Sequence, residues 1–265
     1  MNKHPHHRSM GVIPPDYTPA EHCLRDRVIL VTGASGGIGR VAALNFARHG
    51  ATVVLHGRNA ARLDAVYDQI GAAGYPQPAI LLLDYMSATE ADYQGMAQTI
   101  LDAFQRLDGI FHAAGHMSPL TPLALQNLAT WQAHQTVNVL APTAITRACL
   151  PMLSRAPAPM GKVVFLSATP ALDPKAYWGA FAVTKAALVE LAAIWNDERA
   201  PAAAQQFFVL VPGPVASPAR SISHPGELAT EVPAVVSLIP AMLYLLTGSA
   251  AGDAPFVFQV QGTHT

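Results

Sequence analysis

The chain has 265 residues, of which 51% are hydrophobic and 12% are charged, and its formal net charge is -1 at pH 7. This length suits one well-buried α/β domain and is short for two. The near-zero net charge does not indicate a nucleic-acid partner or a membrane surface. The longest apolar stretch, Ala234 to Leu246, is too short to cross a bilayer, and residues 1–15 lack the apolar core of a secretory signal. We therefore expect a cytoplasmic protein with a small-molecule substrate.

Residues 1–24 are predicted to form an extended N-terminal arm, and residues 25–265 a single domain. Prolines interrupt the arm, its first residues are polar and rich in histidine, and Met10 is an alternative start. A polar tail without fixed structure is preferred over a metal site for this histidine cluster. The prolines are Pro14, Pro15 and Pro19, and the histidines are His4, His6 and His7.

The chain has two cysteines, Cys23 and Cys149. They show neither the close spacing of a metal site nor a Cys-x-x-Cys motif. Free thiols are typical of a reducing compartment, where disulfides seldom persist. We therefore expect two free thiols and no bound metal.

An apolar, β-branched segment over residues 28–32 ends in a glycine cluster, and a helical pattern follows. Strand, tight turn and helix in this order point backbone N–H groups and the helix N-terminus at a position that favours an anion. Gly33 permits the sharp turn, Gly37 permits close approach of a phosphate, and Gly39 permits close packing of the helix on the sheet. A second apolar run, Ala51 to His56, completes a βαβ unit. This context favours a dinucleotide pyrophosphate site over a glycine-rich turn that binds nothing.

Apolar runs and helical patterns alternate along the rest of the chain. This alternation argues for a doubly wound parallel sheet, with right-handed crossovers that place helices on both faces. We therefore predict a single-domain α/β fold of the Rossmann type, with ligands beyond the carboxyl ends of the strands. Further strands are predicted at residues 79–83, 109–115, 162–166, 206–211 and 256–258, and helices at residues 59–73, 90–107, 128–153, 179–199 and from after 231 to 246.

Three finer features are predicted from individual residues. Asn59 is placed to cap the second helix. Pro142 lies inside the predicted helix at 128–153 and is expected to kink it. The segment from Ala216 to Glu231 is predicted to be a loop that acts as a mobile lid.

The end of the second strand indicates which dinucleotide is bound. An NAD site places an acidic residue there, against the ribose 2′-hydroxyl. This chain has Gly57-Arg58 instead, and a guanidinium without a carboxylate suits a 2′-phosphate. NADP(H) is therefore favoured over NAD(H), with an ordinary solvated arginine as the alternative. Asp84, at the end of the third strand, either accepts a hydrogen bond from the adenine amine or caps the next helix.

Several motifs follow one another along the chain: Thr32-Gly33-x-x-x-Gly37-Ile38-Gly39, Asp84, His112-Ala113-Ala114-Gly115, Asn138, Ser167, Lys185 and Pro212-Gly213-Pro214-Val215-Ala216-Ser217. Together they resemble the short-chain dehydrogenase/reductase family, from about Arg27 to the C-terminus. The family usually has Asn-Asn-Ala-Gly where this chain has His112 to Gly115. The resemblance implies the Rossmann-type fold, a nicotinamide cofactor and oxidoreductase activity. It also implies a homodimer or homotetramer, paired through helices 128–153 and 179–199; burial of their apolar surface within the monomer is the alternative.

The resemblance assigns a role to each matching residue. Asn138 supports a proton relay, Ser167 holds the substrate carbonyl oxygen, and Lys185 holds the nicotinamide ribose. The cofactor-binding residues that it implies are Gly33, Ser35, Gly37, Ile38, Gly39, Arg58, Asp84, Tyr85, Ala114, Gly115, Lys185, Pro212, Gly213, Val215 and Ser217.

One position departs from the family pattern. The family has a catalytic tyrosine four residues before the lysine, and this chain has Phe181 four residues before Lys185 and 14 after Ser167. In the family, the tyrosine hydroxyl transfers a proton at the substrate oxygen while a hydride moves to or from the nicotinamide, and phenylalanine has no such proton. Positioned acid–base catalysis contributes roughly a hundred- to ten-thousandfold, or about 3–5 kcal/mol of barrier. The resemblance therefore implies impaired hydride transfer unless another group substitutes.

Three substitutes are available in the sequence. Tyr177 lies four residues before Phe181, one helical turn away, where its alternative role is to line the substrate pocket. His116 can titrate near neutral pH, or it is an ordinary loop residue. Ser167 and Lys185 can hold a water molecule where the hydroxyl is missing.

Two functions remain open at this point. The first is an NADP(H)-dependent oxidoreductase that acts on an unidentified carbonyl or alcohol, with an impaired or atypical proton relay. The second is a catalytically inactive NADP(H)-binding protein that serves as a sensor or a scaffold. The residues of the predicted lid do not identify a substrate, because fold and family indicate the chemistry only by analogy.

Overall fold

The computed structural model describes residues 10–156, 161–199, 205–248 and 255–260. The strands are β1 (Met10–Gly11), β2 (Val28–Thr32), β3 (Thr52–Gly57), β4 (Ala79–Leu82), β5 (Gly109–His112), β6 (Lys162–Leu166), β7 (Gln206–Val211) and β8 (Val257–Gln259). They form one parallel sheet in the spatial order β1-β8-β7-β6-β5-β2-β3-β4. The histidine cluster at His4, His6 and His7 lies outside the described residues.

Helices pack on both faces of this sheet. They are α1 (Gly37–Arg48), α2 (Ala60–Ala72), α3 (Glu90–Phe104), α4 (Leu128–Gln135), α5 (Ala141–Leu153), α6 (Gly179–Glu198), α7 (Pro218–Ser223) and α8 (Ile239–Thr247). Phe46 of α1 and Leu63 of α2 belong to one buried core, and Ile100 of α3 and Leu188 of α6 to the other. Every residue of β2, β6 and β7 is buried, as expected for strands covered on both faces. The predicted doubly wound parallel fold is confirmed.

The strand order reverses direction between β2 and β5. From β2 the chain continues to β3 and β4 on one side, then crosses back to β5 and continues to β6 and β7 on the other. In open parallel sheets, the crevice at such a reversal is where ligands bind. The residues that follow β2 and β5 therefore define the candidate site.

The N-terminal arm contributes a strand that the sequence did not predict. Met10 pairs with Val257 and Gly11 with Phe258, which makes β1 an edge strand parallel to β8. A Cβ on Gly11 would overlap the ring of Phe258, so glycine is needed for this close contact. A strand of two residues is too short to produce a sequence pattern.

The predicted helix over residues 128–153 is not continuous. A π-helical turn at Thr136–Leu140 separates α4 from α5, and Pro142 lies in the first turn of α5. Proline has no N–H to donate to the carbonyl of Asn138, four residues earlier, so regular α-helical bonding fails at this point. The disruption that was predicted at Pro142 is therefore present as the π-helical turn that joins α4 to α5, and Pro151 is a second proline, inside α5.

The segment from Ala216 to Glu231 is not entirely a loop, because it contains α7. Ser217 caps this helix by accepting the Arg220 backbone N–H at 3.3 Å. The Arg220 guanidinium also donates two hydrogen bonds of 2.5 Å to the Glu227 carboxylate. The helix was missed because its six residues are too few to show a helical repeat.

The two cysteines are free, as predicted: Cys149 is buried and Cys23 is partly buried. Asn59 caps α2, also as predicted, by accepting the backbone N–H of Arg62. Among the described helices, none is both long enough and apolar enough to cross a membrane.

Candidate functional site

The glycine turn after β2 is too crowded for side chains. Gly33 and Gly37 have positive φ angles of 67° and 51°. A Cβ on Gly33 would lie 2.8 Å from the backbone of Ala114, whose N–H donates to Thr32 Oγ1 at 3.2 Å. A Cβ on Gly39 would overlap the carbonyl oxygen of Gly33. The turns after β2 and β5 therefore lie against each other at the strand reversal.

The N-terminus of α1 has no side-chain cap. Its N-cap residue is Gly36, and its first turn contains no acidic residue. Ile38, in the same turn, packs partly buried against the core. Four other helices have a capping side chain: Asn59 at α2, Thr89 at α3, Asn127 at α4 and Ser217 at α7. The first N–H groups of α1 are therefore available to an anion such as a phosphate.

Arg58 lies exposed at the end of β3, next to the glycine turn. The hydroxyl oxygen of Ser35 lies 3.5 Å from the point where a Cβ on Gly57 would be, so the two segments are in contact. Among the described residues, no carboxylate forms an ion pair with Arg58. A cationic group thus stands where an NAD site has an acid.

Asp84 and Tyr85 follow β4, but their side chains differ in exposure. Asp84 is exposed, and its carboxylate accepts the backbone N–H of Met86 at 3.1 Å. The alternative that it caps the next helix is wrong, because Thr89 caps α3. Tyr85 is buried, shares a hydrogen bond of 3.1 Å with His56 Nδ1 and stacks on its ring. Burial raises the pKa of the Tyr85 hydroxyl and lowers the pKa of His56 to about 4.

Ser167 follows β6 and contacts α6, on the far side of the crevice from the glycine turn. Its hydroxyl donates to the carbonyl of Lys185 at 2.9 Å, and Lys185 Nζ donates to the carbonyl of Leu166 at 2.8 Å. Nζ also lies 5.8 Å from the centre of the Phe181 ring. Burial lowers the pKa of Lys185 to about 8. Ser167, Phe181 and Lys185 therefore form one cluster.

Asn138 connects this cluster to the turn after β5. Its Oδ1 accepts the backbone N–H of His116 at 2.7 Å, and its Nδ2 donates to the carbonyl of His116 at 3.1 Å. Nδ2 also donates to Thr184 Oγ1 of α6 at 3.0 Å. A Cβ on Gly115 would lie 3.4 Å from Lys185 Nζ and 3.6 Å from Asn138 Oδ1. The π-helical turn that carries Asn138 is thus bonded to the turn after β5 and to α6. Such turns occur frequently at functional sites.

Phe181 is buried among aromatic rings at the start of α6. The ring of Trp178 lies 5.7 Å away and that of His134 6.4 Å away, between centres. Tyr177 does not share a helix face with Phe181, because it precedes α6, has a φ of 74° and is 56% exposed. The expectation that Tyr177 lies one helical turn from Phe181 is therefore wrong. The aromatic ring next to Phe181 is that of Trp178.

The segment after β7 reaches across to the glycine turn. A Cβ on Gly37 would lie 3.1 Å from Cδ of Pro218, the first residue of α7. Gly213 has a positive φ of 69°, which allows the chain to bend there. The buried residues of this segment include Pro212 and Val215. The crevice is therefore bounded by the turns after β2, β5 and β7.

His112 stands where the family usually has asparagine, and it lies within the sheet rather than in the crevice. Its Nε2 shares a hydrogen bond of 2.9 Å with Thr146 Oγ1, and its ring stacks on Phe165 with centres 5.1 Å apart. Burial lowers the pKa of His112 to about 3. This histidine is therefore a neutral residue of the core.

The sequence did not identify two polar residues of the site, His134 and Thr184. Both are completely buried, and the His134 ring lies 4.6 Å from that of His116. A signal for each is visible in retrospect. His134 precedes Asn138 by four residues, and Thr184 is adjacent to Lys185. Buried polar residues next to the candidate catalytic residues on the same helices are therefore candidates for the same site.

Comparison with known proteins agrees with this geometry. The family model for short chain dehydrogenases matches residues 27–226. YciK of Escherichia coli K12, named an uncharacterized oxidoreductase, is 35% identical over 247 residues, which are 92% of this chain and 96% of YciK. The chain therefore belongs to the short chain dehydrogenase family, whose members are oxidoreductases.

Solved structures give the same result. A short chain dehydrogenase from Salmonella enterica serovar Typhi has a TM-score of 0.88 at 33% identity, covering 92% of this chain and 100% of that chain. A structure from Shigella flexneri 2a in complex with NADP has a TM-score of 0.84 at 34% identity, covering 91% and 99%. The similarity thus extends along nearly the whole length of both chains.

Proposed function

We propose that this chain is an NADP(H)-dependent oxidoreductase that interconverts a small carbonyl compound and the corresponding alcohol, with an atypical proton relay. The observation that carries the proposal is the convergence of Asn138, Ser167 and Lys185 around Phe181, at the crevice that the glycine turn lines. When bound, NADPH supplies a hydride. The protein must then provide the proton that the substrate oxygen receives.

The residues of the crevice suit NADP(H). The uncapped start of α1 offers backbone N–H groups to a pyrophosphate, and a Cβ on Gly33 would occupy space against Ala114. Arg58 offers a guanidinium to a 2′-phosphate. The NADP in the Shigella flexneri structure supports the same assignment for this chain. Asp84 remains exposed and is proposed to contact the adenine.

Each residue of the cluster has a proposed task. Lys185, held by its hydrogen bond to Leu166, binds the nicotinamide ribose with its remaining N–H donors. Ser167 orients the substrate oxygen, and Asn138 fixes the turn after β5 through both backbone atoms of His116. Phe181 occupies the place of the family's tyrosine ring, without its hydroxyl, and keeps that part of the site apolar.

The test has a binding step and a turnover step. NADPH fluorescence is titrated with the purified protein, and we expect a dissociation constant of about 1 μM or tighter, with weaker binding of NADH. Oxidation of NADPH is then followed with a panel of small aldehydes and ketones. Phe181→Tyr is expected to raise turnover by at most roughly a hundred- to ten-thousandfold, the full value of positioned acid–base catalysis, whereas the control Phe181→Leu is expected to leave turnover unchanged. If NADPH binds but neither wild type nor Phe181→Tyr oxidises it with any panel member, the proposed reaction is rejected.

The second candidate is an NADP(H)-binding sensor or scaffold without catalytic activity. Phe181 itself favours it, because the ring cannot donate a proton. It predicts tight NADPH binding without turnover by the wild-type protein. Wild-type turnover that is lost in Lys185→Ala would exclude this second candidate.

We also propose that the chain forms a homodimer or homotetramer through α4, α5 and α6. Large apolar side chains are exposed along these helices and the turn between them: Leu128, Leu140, Val183 and Ile194 are 50–80% exposed. Exposed apolar patches of this kind mark protein interfaces. Multi-angle light scattering is expected to give the mass of two or four chains, and the mass of one chain would contradict the proposal.

A further inference from the structure

The cluster around Phe181 contains two imidazole rings that the proposed reaction does not yet use. His116 directly follows Gly115, which lies beside Lys185 Nζ and Asn138 Oδ1. Asn138 accepts the backbone N–H of His116 at 2.7 Å and donates to its backbone carbonyl at 3.1 Å. These two hydrogen bonds fix the backbone of His116 at the crevice. His116 is partly buried and therefore also reaches the solvent-accessible part of the crevice.

His134 neighbours both His116 and Phe181. Its ring centre is 4.6 Å from that of His116, at an interplanar angle of 69°, and 6.4 Å from that of Phe181, at 85°. His134 has no exposed surface. The ring of His134 therefore neighbours both the ring of His116 and the ring of Phe181.

The hydrogen bonds of His134 determine which nitrogen holds the proton. Nδ1 lies 2.9 Å from the carbonyl oxygen of Thr130, and because a carbonyl can only accept, Nδ1 carries the hydrogen. The other nitrogen, Nε2, is then a lone-pair acceptor. It is buried and has no hydrogen-bond partner among the described residues. A buried acceptor without a partner costs free energy, and a catalytic role is one explanation for such a group in a native structure.

The surroundings of the two rings favour the neutral state. Burial lowers the pKa of His116, and the neighbouring charges of His134 and Arg58 lower it further. Burial also lowers the pKa of His134, the hydrogen bond to Thr130 opposes this, and the charge of Lys185 adds to the lowering. Two imidazolium rings at this separation repel each other, so the pair holds at most one extra proton near neutral pH.

We propose that His116 and His134 form the proton relay of this site, with His116 as the catalytic acid and base and His134 as its proton reservoir. The inference rests on the proposed function. In reduction, the carbonyl carbon receives a hydride, the C=O π electrons move to oxygen, and protonated His116 gives its N–H proton to that oxygen and becomes neutral. In alcohol oxidation, for which NADP⁺ would be the hydride acceptor, the carbon loses a hydride, the O–H bonding electrons form the C=O π bond, and neutral His116 accepts the hydroxyl proton. His134 holds the extra proton of the pair on Nε2. Because Nε2 has no hydrogen-bond partner among the described residues in this conformation, the transfer requires the His116 ring, whose centre is 4.6 Å from that of His134, to turn toward it.

The first test measures protonation without turnover. The protein is labelled with ¹⁵N-histidine, and both rings are followed by NMR from pH 4 to 9 in the presence of NADP⁺. We expect the two rings to titrate as a coupled pair, and His134→Gln to raise the pKa of His116 by about half a unit or more. Independent titration of the two rings, with His116 unaffected by His134→Gln, would overturn the relay. This measurement on the wild type stands even if a His116 variant does not fold.

The second test measures turnover with NADPH and the same carbonyl panel. His116→Gln is expected to reduce kcat roughly a hundredfold while NADPH affinity changes less than about twofold. In the Phe181→Tyr background, His116→Gln is expected to have little effect on kcat, since the tyrosine hydroxyl takes over the proton transfer. A merely structural role of His116 would not be rescued in this way. His49→Gln, a histidine change at the C-terminal end of α1, is the matched control and is expected to leave kcat unchanged.

The pH profile sharpens the second test. Since His116 donates as an imidazolium, reduction is expected to accelerate as the pH falls toward its lowered pKa, and oxidation to slow. Both trends are expected to disappear in His116→Gln.

Three results of the turnover test would overturn the relay, and they are distinguishable from one another. If His116→Gln keeps the wild-type kcat, the relay is wrong while the proposed function stands. If the wild type binds NADPH without turnover and Phe181→Tyr is active, the histidines do not replace the tyrosine, and the sensor or scaffold function is favoured. If NADPH does not bind at all, the proposed function fails and the relay fails with it.

Discussion

The two sides of the crevice differ in how completely they are built for their tasks. On the side of β2 and β3, the glycine turn, the uncapped α1 and Arg58 together suit a phosphate-bearing cofactor. On the side of β5 and β6, Asn138, Ser167 and Lys185 are in the places proposed for them, but Phe181 has no ionisable proton. The proposed cofactor-binding and catalytic residues therefore follow different strand ends. The predictions that follow test whether the two sides behave as independent parts.

The largest expected effect is the loss of stability at acidic pH. One buried, neutral histidine lies on each side of the crevice, His56 in β3 and His112 in β5. Their pKa values are lowered to about 4 and about 3, against about 6.5 in the unfolded chain. Below pH 6.5 the unfolded chain therefore binds more protons than the folded protein. The free energy of unfolding is highest above that pH and falls as the pH decreases toward 4. Each histidine is expected to cost about 2 kcal/mol of unfolding free energy at pH 5 relative to pH 8.

The measurement is urea unfolding of wild type, His56→Gln and His112→Gln at pH 5 and pH 8. In each variant, the unfolding free energy at pH 8 should exceed that at pH 5 by about 2 kcal/mol less than it does in the wild type. His49→Gln, whose ring is only partly buried, is the control. Equal reductions indicate that the two sides bury their histidines equally well in the neutral state, and a variant without any reduction would show that its histidine is not held neutral in the native state.

The next effect is confined to the cofactor side. Gly33→Ala places a side chain at a φ of 67° and against the backbone of Ala114, which is expected to lower the free energy of unfolding by about 1–3 kcal/mol. NADPH affinity is expected to fall at least about tenfold, measured by fluorescence titration. Gly71→Ala in α2 is the matched control, because a Cβ there meets no atom within 4 Å, and helix propensity predicts a gain of up to about 1 kcal/mol. Unchanged NADPH affinity in Gly33→Ala would contradict the assignment of this turn.

A smaller effect separates the two nicotinamide cofactors. Arg58→Gln is expected to weaken NADPH binding roughly 10- to 100-fold, the value of a charge-assisted hydrogen bond, and NADH binding by less than about threefold. Arg48→Gln, which removes an arginine at the C-terminal end of α1, is the control. Equal losses for both cofactors would mean that Arg58 does not contact the 2′-phosphate.

The smallest effect tests a local feature of the cofactor side. Asn59→Ala removes the side chain that accepts the Arg62 N–H at 3.0 Å, and we expect a loss of about 1 kcal/mol in unfolding free energy. Thermal unfolding is the measurement, and turnover at 25 °C is expected to stay the same. A change in kcat would show that the start of α2 is coupled to the catalytic side.

The sequence predicted best what is determined locally. The glycine turn, the Asn59 cap and the start of α6 at Gly179 depend on residues that are neighbours in the chain. The alternation of strands and helices was also sufficient to predict the parallel sheet. These features follow from backbone sterics, capping and periodicity, which a single sequence contains.

The sequence failed where distant residues decide. β1 exists because Gly11 fits beneath Phe258, and the π-helical turn exists because Pro142 breaks the bonding pattern of a helix that is packed on both sides. The pairing of His116 with His134 depends on Asn138, which holds the turn after β5 against α4. None of these contacts leaves a periodic signal in the sequence.

The π-helical turn at Thr136–Leu140 limits how the length of this region can vary. Such a turn contains one residue more than regular α-helical winding, and each residue turns a helix by about 100°. Deleting one residue there would give a smooth helix but would rotate His134 away from His116 and the crevice. Substitutions that change side chains are therefore easier to accommodate between α4 and α5 than a gain or loss of a single residue.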